Sequence, residues 1–402
     1  MLDFLAIIAA FAVLGILIYR REKFGYSIMA AVGVLLLLSN PSREGLYWLV
    51  EITFEYDTLS LVSIIILIGF LGFLYKDTGQ VMRMIKELRA AVPDRRWVIA
   101  SIPALFGLMP MPGGALVSAP MIDEEGDHLK ATGVQKTFMN WWFRHIWFTI
   151  YPLSLGLILA SSLSGISIYK IALFNLPIFI VQIVIGVIWG IGDIDELKSG
   201  EAPVNSLVLI WEISPIILAL VLNIFLGIPF YITLLLAIIL LLFQNRDRYD
   251  IGDIPDIIES GFSKDLLLAS LGIMLFKGII ERTGAIGPVV NSLQNYIPLL
   301  AVVIIVAVAV GLLFGHLPGA VGIGFPVLIS IVPEINLLTV GLIFLFIFIG
   351  YLISPIHLCI ILTIEYFKTD LASFYKKAAV PAAVLIIAIV AWLVVTGAMF
   401  AV

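Results

Sequence analysis

Two short stretches of this chain break helices inside otherwise apolar sequence. The first reads Phe106-Gly107-Leu108-Met109-Pro110-Met111-Pro112-Gly113-Gly114 and is followed by Pro120. The second reads Phe314-Gly315-His316-Leu317-Pro318-Gly319-Ala320 and is followed by Pro326. In each, a proline that begins a Pro-Gly pair lies eight residues before another proline (112 to 120, 318 to 326). Glycine and proline interrupt helices, so each stretch predicts two half-helices meeting at a tip. In lipid a broken backbone survives only where protein or a water-filled cavity surrounds it. Two such breaks at corresponding places in two halves point to a transporter's substrate site.

Composition places these breaks in a membrane. The chain has 402 residues, of which 61% are hydrophobic and 13% charged. A soluble domain of that length carries more charge. Apolar runs long enough to cross about 30 Å of hydrocarbon recur along the chain. The expected fold class is therefore an all-α polytopic membrane protein. A single cysteine, Cys359, excludes an internal disulfide and a cysteine-based zinc cluster. Residues 4–19 lack a basic region before them and a cleavage site after them, so they are expected to remain as a first span.

The runs divide into two units. Residues 1–200 hold spans at 4–19, 25–38 and 58–75, a hairpin at 97–122, a broken span at 138–163 and a span at 170–190. Residues 201–402 hold spans at 204–226, 229–243 and 266–280, a hairpin at 297–332, a broken span at 338–367 and a span at 378–400. Residues 80–96 alternate apolar positions with arginine and lysine, as an amphipathic arm on the membrane surface would. A plain cytoplasmic connector reads the same way.

Landmarks repeat at one offset. Thr78-Gly79 matches Thr283-Gly284 at 205, Pro112-Gly113 matches Pro318-Gly319 at 206, and Pro152 matches Pro355 at 203. Ser167-Ile168-Tyr169-Lys170 matches Ser373-Phe374-Tyr375-Lys376 at 206. This is an internal repeat. Each unit has five full crossings and one re-entrant hairpin, about 10 transmembrane helices and two hairpins in all. Five is odd, so the second unit is inverted. Charge placement agrees: of the 23 Lys and Arg, Arg144 and Lys277 fall inside spans, leaving 21 in loops. Eighteen of those 21 collect on one side and only Arg43, Lys170 and Arg282 on the other. Positive charge marks the cytoplasmic side. The chain is thus expected as a multi-pass protein of the cell membrane with both termini outside.

The residues that could carry chemistry cluster at the breaks. The second half-helices begin near Gly113-Gly114 and Gly319-Ala320, after Pro112 and Pro318, and their free N–H groups favour an anion. The alternative is that these glycines only permit close helix packing. Ser118 adds a hydroxyl to the first hairpin. Tyr151 and Ser154 flank Pro152, and Ser354 and His357 flank Pro355; proline frees a carbonyl one turn earlier for a cation or proton donor. Arg144 and His145 lie inside the fifth span, one to two turns from its cytoplasmic end. Arg144 either pairs with a substrate carboxylate or snorkels to the headgroups. His145, His316 and His357 fall at the centre, where histidine can exchange a proton, with His357 the first candidate for coupling and His316 the next. Neither hairpin carries an acidic residue, which disfavours a sodium site, although carbonyls alone can bind sodium.

Enzyme motifs are weak. Gly190-Ile191-Gly192-Asp193 matches the glycine-rich half of an intramembrane aspartyl protease site, but no Tyr-Asp lies inside an earlier neighbouring span. No metalloprotease, rhomboid or nucleotide-loop motif occurs.

Three spans, a Pro-Gly hairpin, a broken span and a last span, repeated inverted, resemble the ion transporter superfamily. That group includes divalent-anion symporters, citrate carriers and gluconate permeases. The Met109-Pro110-Met111-Pro112-Gly113-Gly114 stretch looks more specifically like a prokaryotic membrane family catalogued as domain of unknown function 401. The superfamily resemblance implies secondary transport by an elevator motion, usually in a homodimer, with spans one to three and their counterparts as scaffold. The tips lack the Ser-Asn-Thr of the divalent-anion symporters, so dicarboxylate specificity and sodium coupling do not carry over. The expected function is secondary active transport of a small anionic organic solute, coupled to a proton or sodium and leaning to the proton. A membrane-embedded enzyme or accessory factor acting on lipids is the second reading. No cofactor, resident metal or nucleic-acid partner is expected.

Overall fold

A computed structural model describes residues 2–20, 22–109, 114–195, 206–249, 251–284 and 296–402. Pro112 and Gly113 of the first tip lie outside the described residues, as do 196–205 of the linker and 285–295 of the second arm. Among the described residues the regular structure is helical, in nineteen α-helices. The first ten are α1 (Leu2–Tyr19), α2 (Phe24–Ser39), α3 (Arg43–Phe54), α4 (Tyr56–Asp77), α5 (Gln80–Ala91), α6 (Arg95–Leu108), α7 (Gly114–His128), α8 (Gly133–His145), α9 (Leu155–Ser164) and α10 (Ile168–Trp189). The rest are α11 (Ser206–Leu226), α12 (Phe230–Gln244), α13 (Ile254–Gly261), α14 (Lys264–Thr283), α15 (Leu299–Phe314), α16 (Leu317–Ile329), α17 (Leu337–Leu352), α18 (Leu358–Tyr366) and α19 (Leu371–Val395).

Four of them, α4, α10, α11 and α19, are long and apolar enough to cross a membrane. Protein covers at most 44% of the apolar window of any of these, which leaves the remainder for lipid. The chain is a helical membrane protein. Seven further apolar helices are shorter, among them α9, α15, α16 and α17, because breaks divide the runs.

Both broken spans begin and end by the same local chemistry. Thr132 and Gln135 cap α8 reciprocally, and Asn336 and Thr339 cap α17 in the same way. Pro152 and Pro355 cannot donate the i→i−4 bond, and the chain leaves helix before each of them. Buried polar groups on the neighbouring long helices then take up the loose ends. Asn175 Nδ2 of α10 donates to Thr149 O at 3.0 Å, and Gln182 Oε1 accepts from Thr149 Oγ1 at 3.2 Å. At the second break the Tyr375 hydroxyl of α19 donates to Ile353 O at 3.0 Å.

Several boundaries differ from the sequence reading. The stretch after span two is an amphipathic helix, α3, whose Glu44 and Glu51 lie seven residues apart on one face while Leu46, Tyr47, Val50 and Phe54 are exposed. Helix α7 runs past residue 122 to His128, and α8 starts at Gly133 rather than 138. The cause is a set of charge contacts that stabilise the extra turns. Lys136 Nζ lies 2.6 Å from Asp123 and 2.5 Å from Asp127.

Packing pairs elements from the two halves. α2 packs on α14, where Gly25 N donates to Asp265 Oδ1 at 2.8 Å, and α4 packs on α12. α9 packs on α16, and α7 packs on α18.

A polar knot fixes α5 to the second half. Arg83 Nε donates to Glu212 Oε1 at 2.6 Å and Nη2 to Asn245 Oδ1 at 3.0 Å. Gln80 Nε2 reaches Glu212 O and Gln244 Oε1, both at 2.9 Å. At its other end Arg89 pairs with Glu124 and Glu125 of α7 at 2.8 and 3.0 Å. The bond from Arg89 holds the Glu124 carboxyl below its usual range. Glu212 is 6% exposed at its side chain and Arg83 is 44% exposed, so the two partners are not equivalent. Arg83→Ala strands a buried carboxylate and is expected to cost about 3–5 kcal/mol. Glu212→Gln leaves a half-solvated guanidinium and is expected to cost about 1 kcal/mol. Unfolding of the purified variants in detergent checks this asymmetry; equal losses would mean the pair sits in water.

Candidate functional site

The first hairpin is zipped to α8 by three polar residues spaced four apart on one helix face. Lys136 holds the far end of α7 through Asp123 and Asp127. One turn on, Asn140 Nδ2 donates to Ala115 O at 2.9 Å, and Ser118 Oγ donates to Asn140 Oδ1 at 2.7 Å. Asn140 also reaches Thr363 Oγ1 of α18 at 3.2 Å, so one buried amide joins both halves. The next position is Arg144. A Cβ built on Gly114 would collide with its guanidinium, 2.5 Å from Nη2 and 2.8 Å from Cζ. The guanidinium therefore lies flat against the first residue of α7, and it also reaches the Cys359 thiol of α18.

Arg144 is 6% exposed and stands eleven residues into α8, about 17 Å along it. The expectation of one to two turns from the end was too shallow, because α8 begins earlier than its apolar run. Snorkelling is accordingly replaced by burial against α7. A cation at a helix N-terminus meets the positive end of the dipole, and both favour an anion between them.

Beside it lies a ring cluster. His145 Nδ1 bonds to Trp141 O, and its Nε2 lies 2.9 Å from the Tyr351 hydroxyl. The His145 and His357 ring centroids are 4.7 Å apart, and those of Tyr351 and His357 are 4.3 Å apart. His357 is 1% exposed, and neither of its ring nitrogens has a hydrogen-bond partner.

The second tip is built differently. His316 caps α16, its Nδ1 accepting from Gly319 N at 3.3 Å. Pro318 occupies the first turn, and Gly319 and Ala320 are buried. A Cβ on Gly319 would meet Phe24 of α2 at 3.1 Å, so α2 lies on this helix start, while His316 itself is exposed. Gly315 has φ +53° and packs on the Ile356 carbonyl, one residue before His357. Only glycine accepts both that conformation and that approach.

The structure thus brings together Gly114, Ser118, Arg144, His145 and His357. His316 stands apart at the second tip. Ser154 and Ser354 do not face the cluster as free hydroxyls. Ser354 Oγ donates to Leu312 O at 2.6 Å, and Ser154 Oγ lies 3.5 Å from Phe148 O. The carbonyls loosened by the prolines are used by protein groups instead of being held ready for an ion. Tyr151 is buried with its hydroxyl unpartnered. Lys277 pairs with Glu281 at 3.8 Å. Asn140, Tyr351, Cys359 and Thr363 were missed. The signal for Asn140 was its four-residue spacing from Lys136 and Arg144; Tyr351 and Cys359 gave none beyond nearness to Pro355.

A buried cation, a buried histidine pair and two interrupted helix elements, set among several lipid-length helices, define a helical membrane protein with a polar centre. The family model described as "Protein of unknown function (DUF401)" matches residues 2–397. The chain belongs to that family. No curated protein matches it.

Proposed function

We propose that the protein is a secondary active transporter of a small organic anion, working by an elevator motion within the ion transporter superfamily. The observation that carries this reading is Arg144, buried against the start of α7 at a break in the fold. The inverted repeat finds support in mirrored packing. Gly107 sits on the Arg144 carbonyl, and 204 residues later Gly311 sits on that of Ile347, 203 after Arg144. The cross-half pairs α9 with α16 and α7 with α18 are counterparts as well. We assign α1, α2, α4, α11, α12 and α14 to a scaffold that forms a homodimer, and the hairpins, broken spans, α10 and α19 to a moving part. Both termini are outside in this reading. Cysteines placed at 86 and 130 in a Cys359→Ser background should resist an impermeant external reagent, while one after residue 400 reacts. External labelling at 86 refutes the orientation.

Arg144→Gln in proteoliposomes is expected to lower organic-anion flux about 10- to 100-fold, as loss of a charged hydrogen bond would. Gly114→Val, which drives a side chain into the guanidinium, should abolish flux at unchanged expression. Normal flux in both would move the site elsewhere and favour the lipid-acting reading.

The driving ion in this proposal is a proton taken up at His316. Its Nδ1 accepts the Gly319 N–H, which requires a lone pair. Protonating that nitrogen removes the cap and sets a positive charge at the helix start, so the tip loosens. Asp265 of α14 acts on this imidazole through its charge, and His357 does so from the neighbouring break. Asparagine also caps helices but does not titrate near neutral pH. His316→Asn should therefore fold and exchange solute while failing to accumulate it under a pH gradient. Accumulation that needs sodium and ignores pH would refute the proton.

A further inference from the structure

We propose that His145, His357 and Cys359 bind one soft monovalent metal ion of the copper(I) type. Their ligand atoms all lie within 4.8 Å of one another. Bonds of about 2.0–2.3 Å require ligand atoms about 3.5 Å apart, so the side chains close by about an ångström. The His357 ring nitrogens make no close, well-aligned hydrogen bond, only loose approaches to the Tyr351 and Leu352 backbone, so little is given up in doing so.

The chemistry of the donors fits. The Trp141 carbonyl can only accept, so His145 carries its proton on Nδ1. That leaves the Nε2 lone pair pointing at the Tyr351 hydroxyl and the cluster. A ligating histidine is held in this manner by a carbonyl on its other nitrogen. His357 presents two ring nitrogens, 1% exposed and unpartnered. Cys359 is the second residue of α18, beside the Arg144 guanidinium. Burial opposes a free thiolate here, while the helix start, the adjacent arginine and a bound metal each favour it.

Charge chooses between metals. A monovalent ion and a thiolate cancel, leaving only the Arg144 charge already buried there. A divalent ion adds a net positive charge beside the Arg144 guanidinium in a medium of low dielectric. Thiolate and imidazole together suit a soft ion. On binding, the Cys359 S–H proton leaves to solvent, the Tyr351 hydroxyl leaves Nε2, and the metal takes both positions. No electrons move. The ion would join the end of α8 to the start of α18 and so clamp the two broken spans. This inference does not depend on the transport reading.

The test uses purified full-length protein in detergent, with copper(I) buffered anaerobically by a competing chelator. One ion per chain is expected, with an X-ray absorption shell of two nitrogens and one sulfur. Cys359→Ser and His357→Leu should each weaken binding at least about 100-fold, and His128→Ala at the surface should leave it unchanged. No binding, binding that survives both variants, or a sulfur-free shell overturns the proposal. The native shell decides even if a variant fails to fold. Solute flux is scored separately, so failure of transport and failure of metal binding remain distinguishable.

Discussion

A guanidinium buried against the N-terminus of a helix is the interaction on which the centre of this structure depends. Arg144 cannot lose its proton, and at 6% exposure it cannot reach bulk water. The surrounding fold meets that charge with an arrangement that only Gly114 permits, since any Cβ there occupies the guanidinium's place. Around it α8 is held by Lys136 and Asn140, so the charge is placed by two anchors on the same helix face. The residue at the corresponding place of the second half is Ile347, an apolar side chain. In the proposed repeat the two halves share a backbone plan but divide the chemistry, with the cation in one and the capping histidine in the other.

The backbone plan itself rests on close approach. Gly107 and Gly311 allow a half-helix to lie on the carbonyl of the neighbouring broken span. A Cβ on Gly311 would come within 2.6 Å of Tyr351 N. In lipid, where helices gain little from apolar burial against each other, such small-residue contacts supply much of the packing attraction. Substituting either glycine separates the hairpin from the break, and with it the tip from Arg144 or from His357.

Much of this was legible in the sequence because glycine and proline act locally. The breaks at Pro152 and Pro355 and the second tip at Pro318 stand where the residues place them, although Pro103, Pro120, Pro177, Pro215, Pro326 and Pro381 lie inside continuous helices, so a missing N–H weakens a helix without by itself ending it. Long-range polar pairing was not legible. Glu212 lies within the apolar run 204–226 with nothing nearby in sequence to name a partner, and only the fold brings Arg83, Asn245 and Gln80 together around it. The depth of Arg144 was misjudged for a related reason. Hydropathy marks where the apolar run starts, whereas the Lys136 ion pairs and the Thr132 cap decide where the helix starts. Ser154 and Ser354 show the limit of position alone, because a hydroxyl beside a break finds a carbonyl of its own chain first.

Satisfied and unsatisfied polar groups are also distributed unevenly. At the α5 knot the Glu212 carboxylate has Arg83 on both oxygens, and Tyr75 donates to its backbone carbonyl at 3.1 Å. A buried network completed in this way is stiff, because any displacement breaks several bonds at once. At the centre the His357 ring and the Tyr151 hydroxyl are buried without partners. Leaving such groups unmade costs stability, and a rearrangement or a bound species that satisfies them recovers it. The stiff knot lies where α5 meets α11 and α12, and the unmet groups lie where the broken spans meet the tips. Polar satisfaction is thus complete at the α5 knot and incomplete at the centre, the gradient that the proposed moving part in a fixed frame would require.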